Sequence, residues 1–255
     1  MITDSTSRFS SRVADYVQYR PTYPDTIVTF LREECGVAAD ALVADIGAGT
    51  GISTRLFLDA GHKVIAVEPN RPMLEAAVDW LGAHPGFRFV EGTAEATTLP
   101  DASVDLVIAA QAFHWFDPPA ARREFGRILK PGGKVALFWN SRLLEGSDFL
   151  EGYEALLQQW GVDYGAVAER YSDDNAMAGW FGDGFLRKAV FPNVQVLDFN
   201  GLVGRLSSSS YAPAPGHPDH VPMMAALREL FDRTARNGTV DFRYSTRLYV
   251  GSAEQ

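Results

Sequence analysis

Short apolar runs at 41–46, 63–68, 87–91, 104–109 and 134–140 punctuate the first 140 residues, and stretches of helical period separate them. In the first run, Leu42, Val43, Ala44 and Ile46 show little polar alternation, the pattern of a strand covered on both faces. Ile52 to Ala60 then has helical spacing, and Gly61 follows as its C-cap. A helix starting near Arg71 puts Met73, Leu74 and Ala77 on one face. Upstream, Ser10 and Ser11 serve as N-caps for a first helix through Tyr19. Pro24 and Asp25 open a second, with Ile27, Phe30 and Leu31 at helical spacing and Gly36 just beyond. Strands alternating with helices build βαβ units around a parallel sheet, so the fold class is α/β.

After residue 140 the rhythm breaks. Residues 141–185 carry Phe149, Tyr153, Trp160, Tyr164, Tyr171, Trp180, Phe181 and Phe185 but no strong strand, and read as a helical insertion capping the substrate side of the sheet. A strand near 188–197, helices around 200–206 and 219–236, and a strand at 240–250 complete the chain. The serines 207–210, Tyr211, Pro213, Pro215 and Pro218 resemble a linker. Because hydrophobic structure continues on both sides, they read instead as a loop on a site's rim. Residues 1–255 are thus expected to form one domain: a first half at 36–140, the cap at 141–185, and C-terminal strands and helices at 186–255.

The turn after the first strand carries the chemistry. Asp45 ends the apolar run, and Gly47, Gly49 and Gly51 follow at alternate positions. Glycine is needed where φ is positive or where a ligand lies against the backbone, and such a turn presents amides and a helix N-terminus to something polar. The spacing departs from the dinucleotide fingerprint, because Ile52 stands where its third glycine would be. No Lys-Ser/Thr pair follows, which excludes a P-loop. Lys63 to Glu68 is a second apolar run ending in a carboxylate, placed to accept hydrogen bonds from ribose hydroxyls.

Charge narrows the partners. With 23 Lys and Arg against 32 Asp and Glu, the net charge of −9 argues against nucleic acid, whose phosphates reward clustered cations. The apolar runs fall short of the roughly 20 residues of a membrane span. The start lacks a secretory signal and Cys35 has no second cysteine to pair with, so a reducing cytoplasm is expected. Among five histidines only His217 and His220 have ligand-like spacing, and they read as solvated surface rather than metal ligands.

At this point the residues resemble a family, the class I S-adenosylmethionine-dependent methyltransferases (methyltransferase type 11), in the branch that includes the ubiquinone-biosynthesis and trans-aconitate methyltransferases. Asp45 to Gly51 is similar to its first motif, Val67-Glu68-Pro69 to its acidic ribose loop, and Glu91 to Glu95 with Leu99-Pro100 to its adenine segment. Asp105 to Gln111 resembles the fourth strand and its loop, and Leu129 to Gly133 the turn before the fifth. Tyr19 to Pro24 and Gln111 to Asp117 resemble the small-molecule branch. The resemblance implies a Rossmann-like seven-stranded sheet of order 3-2-1-4-5-7-6 with the seventh strand antiparallel, and S-adenosylmethionine as cofactor with S-adenosylhomocysteine as product. It implies methyl transfer to a small organic molecule, oxygen favoured, by a monomer or homodimer.

Site residues follow from that implication. Gly47, Ala48 and Gly49 would meet the methionine part, with the Asp45 carboxylate near its ammonium; the alternative for Asp45 is a cap on the following turn. Glu68 and Pro69 would hold the ribose, and Met73 would complete that wall. Glu95 or the backbone of Ala94 would read adenine; otherwise Glu95 is a first-turn helix acid. Tyr16 and Arg20, four apart on one helix, would close on the methionine tail; otherwise Arg20 caps the helix end. Gln111 would contact the cofactor. His114 is either a general base or a packed loop residue. Trp115 and Phe116 are expected as walls near the methyl group. A carboxylate acceptor needs no base, being ionised at neutral pH, and Arg142 and Arg205 are the candidates to hold it. Two other functions stay open: an NAD(P)-linked oxidoreductase on the same sheet, and a non-catalytic cofactor-binding module.

Overall fold

A computed structural model describes residues 19–164 and 174–253; Ser10, Ser11, Tyr16 and Tyr171 lie outside them. Its centre is one seven-stranded sheet of order β3-β2-β1-β4-β5-β7-β6. The strands are β1 (Leu42–Ile46), β2 (Lys63–Val67), β3 (Phe87–Val90), β4 (Val104–Ala110), β5 (Leu129–Arg142), β6 (Phe185–Leu197) and β7 (Val240–Gly251). β1 to β5 pair in parallel, and β7 runs antiparallel to both β5 and β6. Register aligns the carboxyl ends that matter: Ile46 lies beside Val67, and Asp45 beside Ile108. The residues that follow β1, β2 and β4 therefore meet at one edge, where the strand order switches between β1 and β4.

Alternate side chains fill two layers. On one face Val43, Ala66, Ile108 and Phe138 pack under helices α1 (Thr26–Glu33), α2 (Ile52–Asp59) and α3 (Arg71–Leu81). On the other, Ile46, Val107, Leu137 and Tyr249 pack under α4 (Pro118–Ile128) and α6 (Asp174–Phe181). Gly51, with φ +89°, ends the glycine turn and starts α2, and Gly61, also at +89°, closes it. Asn70 and Asp117 cap α3 and α4 through side-chain oxygens, each with proline in the first turn.

The expected cap over 141–185 divides. Helix α5 (Asp148–Trp160), capped by Ser147, buries Phe149, Tyr153 and Leu157 with Phe242 of β7, α7 (Phe199–Ser207) and α8 (His220–Thr234) in a third cluster above the sheet. Helix α6 does not cap: Met177 and Phe181 insert into the second sheet layer, and Arg122 of α4 donates to the carbonyls of Trp180 and Phe181 at 2.7 and 3.0 Å. Its aromatics looked like lid residues in sequence because a lid and a sheet-covering helix both need a continuous apolar face. β5 and β6 begin earlier than expected, at Leu129 and Phe185, since Val104 already pairs with Leu129 and β7 is long enough to meet Phe185 at Gly251. Among the described residues no helix is long and apolar enough to cross a membrane.

Candidate active site

The carboxyl ends of β1, β2 and β4 open into a cavity of about 670 Å³ that continues under α5 and α7. Its first wall is the glycine turn. Gly47 has φ +69°, and a Cβ there would lie 2.7 Å from the Cβ of Ala112; a Cβ on Gly51 would lie 2.6 Å from Leu81 Cδ1. Backbone hand and lack of space both demand glycine. Four amides of this turn have partners within the protein. Gly47 and Ala48 donate to Val67 O (2.8 and 3.2 Å), Gly49 to Glu68 Oε2 (2.9 Å) and Gly51 to Ala48 O (2.9 Å).

Glu68, only 7% exposed, stands on the wall with Pro69, Asn70 and Met73. Its Oε1 accepts the Asn70 N–H at 2.8 Å and its Oε2 the Gly49 N–H, so both oxygens are aimed while each keeps a lone pair. Burial pushes this carboxyl up, against those two hydrogen bonds. Asp45 lies behind the cavity's lining residues and not among them. Its Oδ2 accepts the hydroxyls of Ser53 and Thr54, both at 2.7 Å, which is the turn-capping alternative. Oδ1 is buried behind the turn without a hydrogen bond. Burial lifts this carboxyl to about 6, opposed by the two hydroxyls and reinforced by Glu68 nearby.

Across the cavity stand Ala94 and Glu95; Glu95 Oε1 accepts the Asp117 N–H at 2.8 Å, so this acid also fixes the start of α4. Gln111 ends β4 at φ +55°, its N–H on Phe138 O at 3.0 Å. Holding a non-glycine residue there costs about 1–2 kcal/mol, and its Oε1 lies buried without a partner. His114, Trp115 and Phe116 line the same cavity from the 3-10 turn Phe113–Trp115 and its exit. The His114 ring is exposed and tilts against Trp115 at 4.9 Å. Arg20 lines the cavity and donates from Nη2 to Ser208 O at 2.8 Å, while its expected companion Tyr16 lies outside the described residues. The chain after Arg20 is tied down by side-chain amides: Asn193 and Asn140 donate to Thr22 O at 2.7 and 3.1 Å.

The far end separates the two candidate arginines. Arg142 is already paired. Its Nη2 bonds Glu154 Oε2 and donates to Tyr164 Oη at 2.7 Å, and Tyr164 in turn donates to the same Glu154 oxygen at 2.7 Å. Arg142 is therefore not available, as expected of it, to hold an acceptor's carboxylate: α5 brings a compensating acid to the end of β5. Arg205, 5% exposed, has no such acid among the described residues. It donates from Nε to Tyr244 Oη (3.1 Å) and from Nη1 to Ser209 Oγ (2.9 Å), and lies over the Phe242 ring at 5.4 Å. Burial would raise the Tyr211 phenol, yet Arg205, a Ser209 hydrogen bond, Arg20 and Arg142 together bring it below its ordinary value, which marks a positive field at this end.

Sequence reasoning missed Glu154, Tyr164, Tyr211 and Tyr244, all on the wall. Tyr164 and Tyr211 stood in aromatic and serine-rich stretches, but nothing in their spacing aimed them here. Within the serine run read as a rim loop, Ser208 and Ser209 are fully buried and hold Arg20 and Arg205. Among the described residues no three His, Cys, Asp or Glu side chains gather as a metal site.

Residues 44–137 match a family described as a methyltransferase domain. An uncharacterized methyltransferase of Schizosaccharomyces pombe is 38% identical over 248 residues, 94% of this chain and 95% of that protein. An uncharacterized methyltransferase of Mycobacterium tuberculosis is 41% identical over 139 residues, so the alignment spans 54% of this chain and 54% of that relative. A candidate type II methyltransferase from Anaeromyxobacter dehalogenans shares the fold at a TM-score of 0.68 and 23% identity, over 92% of this chain and 98% of that one.

Proposed function

Because this chain belongs to the class I S-adenosylmethionine-dependent methyltransferases, we propose that it methylates a carboxylate oxygen of a small organic acid. The observation that carries the acceptor is Arg205: a buried guanidinium on the cavity wall, charged at any working pH, with hydroxyl neighbours and no acid among the described residues. A buried cation without a counter-ion is costly, and an anionic acceptor supplies one.

The cofactor end fits S-adenosylmethionine. Glu68 has two aimed carboxylate oxygens for the ribose hydroxyls, and the carbonyls of the glycine turn, backed by Asp45, suit an ammonium. Arg20 is placed for the methionine carboxylate, Ala94 and Glu95 for adenine, and the unpaired Gln111 Oε1 and Thr50 Oγ1 are buried atoms that a ligand would satisfy. Bound there, the cofactor supplies an electrophilic methyl on a sulfonium. The protein's task is to exclude water and align the acceptor; Arg205 and Tyr244 orient the acid, while Trp115 and Phe116 wall off solvent. Since a carboxylate arrives ionised, His114 has no proton to take and acts as rim.

Incubation with methyl-labelled cofactor and a panel of organic acids should label methyl esters. Arg205→Met should lower kcat/KM by about 100-fold, the loss of a charged hydrogen-bonded anchor, and leave cofactor affinity unchanged. Labelling of phenols or amines in place of acids would overturn the acceptor assignment. The nicotinamide alternative is not favoured by relatives that are methyltransferases.

A further inference from the structure

We propose that Glu154 is a specificity-determining residue: by pairing with Arg142 it makes that part of the pocket accept an uncharged hydrogen-bonding group and reject a second carboxylate. The inference rests on the carboxylate reading above. Arg142 and Glu154 come from different elements, the end of β5 and the middle of α5, and both lie on the cavity wall with side chains only 10% and 16% exposed. Their pairing is reinforced on every side. Tyr164 Oη accepts from Arg142 Nη2 and donates to Glu154 Oε2, Gln158 Nε2 donates to Glu154 Oε1 at 2.9 Å, and Arg142 lies over the Tyr153 ring at 5.3 Å.

Two consequences follow. A dianionic acceptor held at Arg205 would bring its second carboxylate toward the Glu154 carboxylate, and like charges repel strongly where water is scarce. Drawing Arg142 away to meet that carboxylate would strand Glu154 as a buried charge without its cation. An uncharged hydroxyl, carbonyl or amide at that end meets neither penalty, because it carries no charge to repel Glu154 or to draw Arg142 away. The paired site thus selects against a second charge, while Arg205 holds the first.

Fumarate and its monoamide differ only in whether the second end is charged. In the unaltered enzyme the monoamide should be the better acceptor by about tenfold in kcat/KM, the scale of one removed like-charge contact. Glu154→Gln preserves shape and frees the Arg142 charge, so it should reverse that preference while the KM for the cofactor stays put. A variant ratio equal to that of the unaltered enzyme, in a protein of unchanged melting temperature, overturns the role of Glu154 alone. Preference of the unaltered enzyme for fumarate overturns it without any variant. If neither fumarate, its monoamide nor any other acid is labelled while phenols or amines are, both this inference and the carboxylate reading fall.

Discussion

Replacing Glu68 by alanine tests the joint between the first two strands and the cofactor. The side chain is nearly buried and takes the N–H groups of Gly49 and Asn70 at 2.9 and 2.8 Å, joining the glycine turn to the start of α3. Each buried N–H left unpaired costs about 1–3 kcal/mol. Part of that is offset, because burial already disfavours the Glu68 anion, so the net loss should be about 1–3 kcal/mol. For a chain of this size that lowers the melting temperature by about 3–8 °C. Affinity should suffer more: two charge-assisted hydrogen bonds to the ribose correspond to about 100-fold or more in Kd. Differential scanning fluorimetry on the free protein and isothermal titration with S-adenosylhomocysteine read the two effects separately. Glu68→Gln, which keeps one acceptor oxygen, should fall between. A Glu68→Ala protein with unchanged melting temperature and a Kd within about threefold of the parent would show that this acid neither braces the turn nor holds the sugar.

The other predictions are briefer. Asp45 titrates near 6, above its ordinary 3.8, so its stabilising contribution is complete below the ordinary value and disappears as pH rises through about 6; Asp45→Asn should be more stable than the parent above that pH in melts across a pH series. If the ionised Asp45 backs the cofactor's ammonium, affinity in the parent should rise between about pH 5 and 7.5, and titration of Asp45→Asn should give a flat profile. Gly47→Ala meets both a positive φ and a 2.7 Å contact with Ala112, whereas a Cβ on Gly49 finds nothing nearer than Met73 Sδ at 4.0 Å. Denaturant melts should therefore show a loss of about 2–4 kcal/mol for the first and about 1 kcal/mol for the second. His114→Ala should keep kcat within about threefold and leave the pH profile of kcat unmoved, the result expected when no base is needed.

Much of the cofactor half was legible in the chain because its signals are local. A strand buried on both faces must be a continuous apolar run, and a turn at positive φ must be glycine; Leu42 to Gly51 states both within ten residues. Glu68 could be read too, since parallel register places the end of the second strand beside the end of the first. The arginine-bearing end of the cavity was not legible in the same way. Both arginines were visible as candidates, but whether a guanidinium is free depends on which acid the fold brings beside it, and Glu154 lies on another element with no periodic relation to Arg142. Likewise the aromatics of 174–181 announced a buried helix but not which surface buries it; packing against Phe125 and Tyr249 is a property of the assembled sheet. Sequence by itself determined the α/β order, the glycine turn and the acid that ends the second strand, because backbone conformation and burial period are written residue by residue. Only the tertiary structure decided the charge balance at the arginine-bearing end of the cavity, since electrostatic pairing depends on distances that neighbours in sequence do not set.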